Sequence, residues 1–210
     1  MRHLIIVALA LSITACQQAY YEAAEQVGYH KRDILVDRVE DSRDAQQAAE
    51  EQFTSALEQL QEMVNYDGGD LEDMYDDMVD VYEDSEASAN KVRDRIDAVD
   101  NVANSLFKEW EAEIGEYSSA KLKADSQAKL TETRSRYNTM IAALRRSEKK
   151  MEPVLSSLND NVLYLKHNLN AQSIASLKTE FKTIEGNIDA LIVEMRKAIA
   201  SSDAFIASMQ

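Results

Sequence analysis

The sequence predicts an all-α protein: an elongated, antiparallel up-down four-helix bundle, close to a coiled-coil-like rod, behind an N-terminal lipoprotein signal peptide. Three observations predict it. Gly occurs five times and Pro once in 210 residues, against ordinary usage near ~7 % and ~5 %, so the turn formers that a many-stranded protein needs are missing. Apolar residues recur at alternating steps of three and four along four long segments, the spacing of a helix face buried in a bundle. Short polar or glycine-containing breaks separate the segments, and short connections make consecutive helices antiparallel neighbours. At this length the mature part, residues 19–210, reads as a single domain.

Residues 1–15 precede that domain. Arg2 and His3 form a polar n-region and Leu4 to Ile13 a mostly apolar run. The run is too short to cross a bilayer, which takes about 20 residues, and has the proportions of a signal peptide. It ends in Ile13-Thr14-Ala15-Cys16, which resembles a bacterial lipobox, and Cys16 is the only cysteine, so no intrachain disulfide can form. The resemblance implies cleavage before Cys16, a thioether-linked diacylglycerol on it, a fatty acid such as palmitate on the new amino terminus, and residues 16–18 as the lipidated anchor. Several acyl chains anchor stably, since burial contributes ~0.8 kcal/mol per CH₂. Gln17, in place of Asp, resembles the pattern of export to the outer membrane, with the body facing the periplasm. The competing readings are an ordinary secretory leader with an incidental cysteine, or a buried amino-terminal helix.

Segment one, about 19–64, carries the seam Leu35, Val39, Ser42, Gln46, Ala49, Phe53, Ala56, Leu60 and Met63, and Gly68-Gly69 then breaks the pattern with Asp70 as the next N-cap. Segment two, about 71–116, runs from Leu71 through Tyr75, Met78, Tyr82, Ser85, Ala89, Val92, Ile96, Val99, Ala103, Leu106 and Trp110 to Glu113 and Tyr117. Gly115 reads as its stop and Ser118-Ser119 as a new N-cap. Segment three, about 119–168, continues its period across Pro153 from Leu130 to Leu165, which favours a kink over a break. Segment four, about 171–208, runs from Ile174 to Met209, with Gly186 in mid-helix at a cost of ~1 kcal/mol against alanine but permitting a close backbone approach. Segments one and two contain about 46 residues each, rods of ~70 Å at 1.5 Å per residue. A helical hairpin that dimerises into a homo-oligomer is the rival architecture.

Up-down order places Cys16, the Ser118 turn and the carboxy terminus at one end, and the Gly68-Gly69 and Asn168–Asn170 turns at the other. The formal net charge is −15, or −16 once Arg2 leaves with the leader. Such a balance excludes nucleic acid as a partner and speaks against the body lying flat on an anionic membrane. Residues 67–86 hold ten carboxylates and no Lys or Arg, while residues 119–152 hold nine Lys or Arg against four acids. Arg145-Arg146 with Lys149-Lys150 should lie beside residues 87–92, so the far tip should stay negative. A divalent-cation or basic-partner site competes there with a plain solvated face, which is favoured. The stretch lacks the alternating acids and sixth-position Gly of a calcium loop.

His30 and His167 should stand ~50 Å apart along the rod, too far to share a metal. The residues three before them, Val27 and Tyr164, exclude the Glu-x-x-His pattern of di-iron bundles. No Cys-x-x-Cys-His, G-x-S-x-G or phosphate-binding glycine loop is present. The sequence therefore predicts no catalytic residue, no metal ligand and no cofactor. Tyr20-Tyr21 and His30-Lys31-Arg32 suit a lipid interface, with a core tyrosine and solvated charges as the even alternative. Ser42, Gln46, Ala89 and Ser147 should share a level in mid-rod, letting helices approach closely, with a narrow ligand cavity as the lesser reading.

Four runs, KRDILVDRVEDSRDAQ at 31–46, GGDLE at 68–72, RIDAVDNVANSLFKEWE at 95–111 and VLYLKHNLNAQSIASLK at 162–178, resemble an uncharacterised, domain-of-unknown-function family of helical lipoproteins of proteobacteria. The resemblance covers nearly all of the mature chain. It implies the fold and the envelope location and carries over no activity, substrate or catalytic residue. The functional expectation is a non-enzymatic, lipid-anchored periplasmic protein, tied to the membrane through Cys16 and contacting an envelope protein through its tip. The tip candidates are Asp67, Asp70, Asp73, Asp76, Asp77, His167, Asn168 and Asn170. The alternatives are a divalent-cation-responsive binding protein that uses the same acids, and a chaperone-like helical clamp.

Overall fold

Steps of three and four place one apolar residue per turn on a single stripe, and a stripe must be covered by another element. In the computed structural model, which describes residues 30–65, 71–168 and 171–210, four helices cover each other: α1 (Lys31–Asn65), α2 (Leu71–Glu116), α3 (Ala120–His167) and α4 (Ala171–Met209). There is no strand among the described residues. Helix α1 packs on α2 and α4, and α3 packs on the same two, which closes a ring. The four stripes are thus buried against one another within one chain. The leader, Cys16, Tyr20-Tyr21, the part of segment one before residue 30, the Gly68-Gly69 corner and Ile174's side chain lie outside the described residues.

Neighbouring helices run antiparallel, because partners fall along one helix as they rise along the next. Lys31 pairs with Glu109 at 2.9 Å and Asp41 with Arg95 at 3.4 Å across α1 and α2. Across α1 and α4, Arg43 meets Asp203 at 3.4 Å and Glu50 meets Arg196 at 2.7 Å. Tyr164 Oη donates to Ser176 Oγ at 3.5 Å where α3 gives way to α4.

The α1 seam from Leu35 to Met63 is buried as its spacing predicts. The α2 seam is not uniform. Its middle, Ser85 to Ala103, is buried, but towards the N-terminus the core takes Met74 and Val81, leaving Leu71, Tyr75 and Tyr82 half-buried. Towards the C-terminus Phe107 and Ile114 are buried, while the expected Glu113 and Tyr117 are exposed. A straight helix drifts ~20° per heptad from a 3.5-residue repeat, so a stripe followed over six turns moves to the adjacent residue.

Helix α3 runs unbroken through Pro153, whose ring is exposed and whose carbonyl accepts from Ser157 Oγ at 2.9 Å. Ser119 is its N-cap, accepting from the Leu122 N–H at 3.4 Å, and Asn168 its C-cap. Helix α2 ends at Glu116, one residue past Gly115 and at the expected bound. A Cβ built at Gly186 meets nothing within 4 Å. No helix approaches it closely, so its lost helix propensity has no packing return.

At mid-rod the core turns small and polar. Ser42, Gln46, Ala89 and Ser147 are all fully buried. Ser147 Oγ donates to Gln46 Oε1 at 2.8 Å, a bond that crosses the ring between α1 and α3. Among the described residues three buried polar atoms, Ser42 Oγ, Gln46 Nε2 and Ser85 Oγ, have no hydrogen-bond partner. Large core side chains, Phe53, Leu60 and Phe205 among them, lie on either side of this layer. Each such side chain contributes ~1.5–3 kcal/mol by burial.

Candidate functional site

The first turns of α2 present one face to the core and three to water, because Met74, Met78 and Val81 occupy the buried stripe. Acids, together with the half-buried Tyr75 and Val79, fill the positions between and around them. Asp73, Asp76 and Asp77 are exposed there, followed by Asp80, Glu83 and Asp84. None of these six forms an ion pair among the described residues. His167 is exposed in the last turn of α3 at the same end of the bundle. Asn168 is half-buried and used structurally: its N–H donates to Leu165 O at 3.0 Å and its Nδ2 to Tyr164 O at 2.8 Å. Asp67, Asp70 and Asn170 lie outside the described residues.

Pairing α1 with α2 concentrates charge further than the tip alone. Between Arg43 and Lys91 the chain has fifteen carboxylates and no Lys or Arg. The rest of the chain has 23 acids, 38 less these fifteen, against 23 Lys and Arg. The whole net charge of −15 therefore sits on one half of the α1–α2 hairpin. No group of three His, Cys, Asp or Glu side chains able to hold a metal ion occurs among the described residues.

The compensating bases lie elsewhere. Arg145 of α3 donates to Asp97 at 2.7 Å, Asp100 at 2.6 Å and Glu148 at 2.9 Å, and Arg93 of α2 to Glu152 at 3.0 Å. Arg145 thus meets Asp97 and Asp100 rather than residues 87–92, while Arg146 lies 3.7 Å from Glu194 of α4. Side chains slant towards the N-terminus of their own helix, so in an antiparallel pair residues meet from offset levels. Burial works against the charge on Arg145, yet its bonds to Asp100, Asp97 and Glu148 hold its pKa above the ordinary guanidinium value. Tyr137, edge-on to Phe107 and Phe205, donates to Asp100. Burial first, and then that bond, push its hydroxyl well above the usual tyrosine range. This network is a brace between α2 and α3.

At the opposite end, Lys31 corrects the reading of His30-Lys31-Arg32 as one interfacial cluster. Its side chain is buried and its Nζ is held by Glu109 at 2.9 Å, whereas His30 and Arg32 are exposed. No helix among the described residues is long and apolar enough to cross a membrane.

The family described as "Protein of unknown function (DUF2959)" matches residues 20–209. The chain belongs to that family. Its description names no activity, and no curated protein and no solved structure matches the chain.

Membership covers all four helices, so both ends of the bundle are part of the family's domain. The end opposite the acids holds residues that sequence reasoning missed. Trp110 and Glu113 were read as seam positions, but Trp110 is half-buried, Glu113 is exposed, and both line a cleft with Arg32 and Arg136. A glutamate on an apolar seam is the one signal that the core ends there. Which side chains converge on it depends on the ring order of the helices, which spacing does not encode.

Proposed function

We propose that this chain is a non-enzymatic lipoprotein of the cell envelope, held at the periplasmic face of the outer membrane by acyl chains on Cys16, with its acidic end directed at another envelope protein. The observation that carries the reading is the charge map. All of the net charge lies on the α1–α2 half remote from Lys31, where α1 begins. Exposed acids without counter-charges destabilise their own fold slightly by repulsion, and their field draws a basic surface from a distance. Asp73, Asp76, Asp77 and His167 are the residues we assign to that contact, together with Asp67 and Asp70 from the adjoining sequence.

The test is in-cell crosslinking of a chain carrying Asp73→Lys, Asp76→Lys and Asp77→Lys together. All three are exposed, so helicity should be unchanged while the crosslinked partner of the wild type is lost. Retention of the same partner would refute the acidic contact. The anchor is tested separately with Cys16→Ser, which should abolish fatty-acid labelling and release the protein from the membrane fraction.

A further inference from the structure

Helices α2 and α3 extend past the start of α1 and the end of α4, and where the four ends meet they enclose a cleft of about 500 Å³. That volume falls among those of small-molecule sites, ~300–1,000 Å³. Leu106, Trp110 and Met209 supply its apolar wall. Trp110 Nε1 donates to Ser126 Oγ at 2.8 Å, so the polar edge of the indole is satisfied inside the bundle.

The charged groups around this wall divide into two kinds. Glu109 is held by Lys31, Glu132 and Arg136 hold each other, and Lys129 is held by Asp125 at 3.0 Å. Arg32 of α1 and Glu113 of α2 are different: each is exposed, and neither has an ion pair or a side-chain hydrogen bond among the described residues. A guanidinium and a carboxylate that have no such partner among the described residues, beside an apolar wall, match a ligand with both charges and a short apolar link. A simple anion would meet Glu113, and a simple cation would meet Arg32.

We infer that the cleft binds an amine-bearing phosphate, the phosphoethanolamine group, with its phosphate on the Arg32 guanidinium, its ammonium on Glu113 and its methylenes against Trp110. Guanidinium and phosphate form the strong charge-assisted pairs of recognition sites, and an ammonium near an indole gains from the ring's quadrupole. The group has two sources, a soluble zwitterion and the headgroup of a membrane phospholipid. Only the second rests on the anchor reading above.

The chain has one tryptophan, so selectively excited tryptophan emission reports this cleft alone. Titration of the purified full chain with phosphoethanolamine should shift Trp110 emission saturably, while inorganic phosphate and ethanolamine, each alone at equal concentration, should not. Arg32→Glu and Glu113→Lys should each weaken binding about ten-fold or more. The double swap R32E/E113K, which restores one charge of each sign, should recover part of that loss. Vesicles of phosphatidylglycerol with added phosphatidylethanolamine should reproduce the shift if the source is lipid, and a response to the free compound alone assigns the soluble source. No shift with either source, an equal shift with inorganic phosphate, or variants that bind as the wild type does would overturn the assignment. Loss of membrane association in Cys16→Ser is read independently, so failure of the anchor leaves the free-compound titration intact.

Discussion

Replacing Ser147 with alanine and Gln46 with methionine should have unequal effects on stability, although the two residues share one hydrogen bond. Ser147 Oγ donates to Gln46 Oε1 at 2.8 Å, both side chains are fully buried, and Gln46 Nε2 already has no partner among the described residues. Ser147→Ala leaves a buried amide with neither end satisfied, and orphaning a buried polar group costs ~1–3 kcal/mol. For a chain of this size ~1 kcal/mol corresponds to ~2–4 °C, so the midpoint should fall by about 2–12 °C. Gln46→Met removes the amide altogether and keeps the side chain's length. The Ser147 hydroxyl can then turn to the carbonyl four residues back, Ala143 O, as Ser202 Oγ does to Ala198 O at 3.1 Å. That variant should lie between neutral and ~1 kcal/mol more stable than the wild type. Thermal unfolding by far-UV circular dichroism, with the double variant completing the cycle, measures both. If Gln46→Met costs as much as Ser147→Ala, the bond across the ring contributes net stability and the reasoning fails.

Three further outcomes are expected. Gly186→Ala should stabilise by ~1 kcal/mol, since its Cβ meets open space; a lower melting temperature would contradict that. Pro153→Ala should also stabilise, by roughly 1–3 kcal/mol, by supplying an amide hydrogen in an unbroken helix where the ring is exposed. Tyr137→Phe should lower stability by ~1–2 kcal/mol at neutral pH through the lost bond to Asp100. The folded pKa of Tyr137 lies above its unfolded value of ~10, through burial and then the Asp100 bond. The hydroxyl's contribution is therefore complete below that pH and is lost as pH rises towards the folded value. The gap between wild type and variant should narrow above pH ~10, and a gap that widens there would refute the assignment.

Reading the seams worked best where the helices are most enclosed. Leu35, Val39, Phe53 and Leu60 in α1, and Ile188, Leu191 and Met195 in α4, are buried as their steps of three and four require. It failed where the bundle ends. There Ile114 took the place of Glu113, because the stripe drifts around a straight helix and a terminal turn has fewer neighbours to restrain it. Gly186 illustrates a related limit: spacing shows that a residue is in a helix but not which face another helix covers. The acidic candidates on α2 were legible as composition, whereas the cleft around Trp110, Arg32 and Glu113 was not, since its walls come from all four helices.

What local sequence settles here is everything carried by short-range physics: helix spans, the cap at Ser119, the continuous α3 and the run of acids without bases. These depend on a residue and its neighbours within about a turn. Tertiary structure decided the rest. The order of helices around the ring, the bond from Ser147 to Gln46 across it, the offset that seats Arg145 on Asp97 and Asp100, and the placing of Arg32 and Glu113 on one cleft all join residues far apart in the chain. Periodicity describes each stripe in isolation, and only packing selects which stripes meet and at what level.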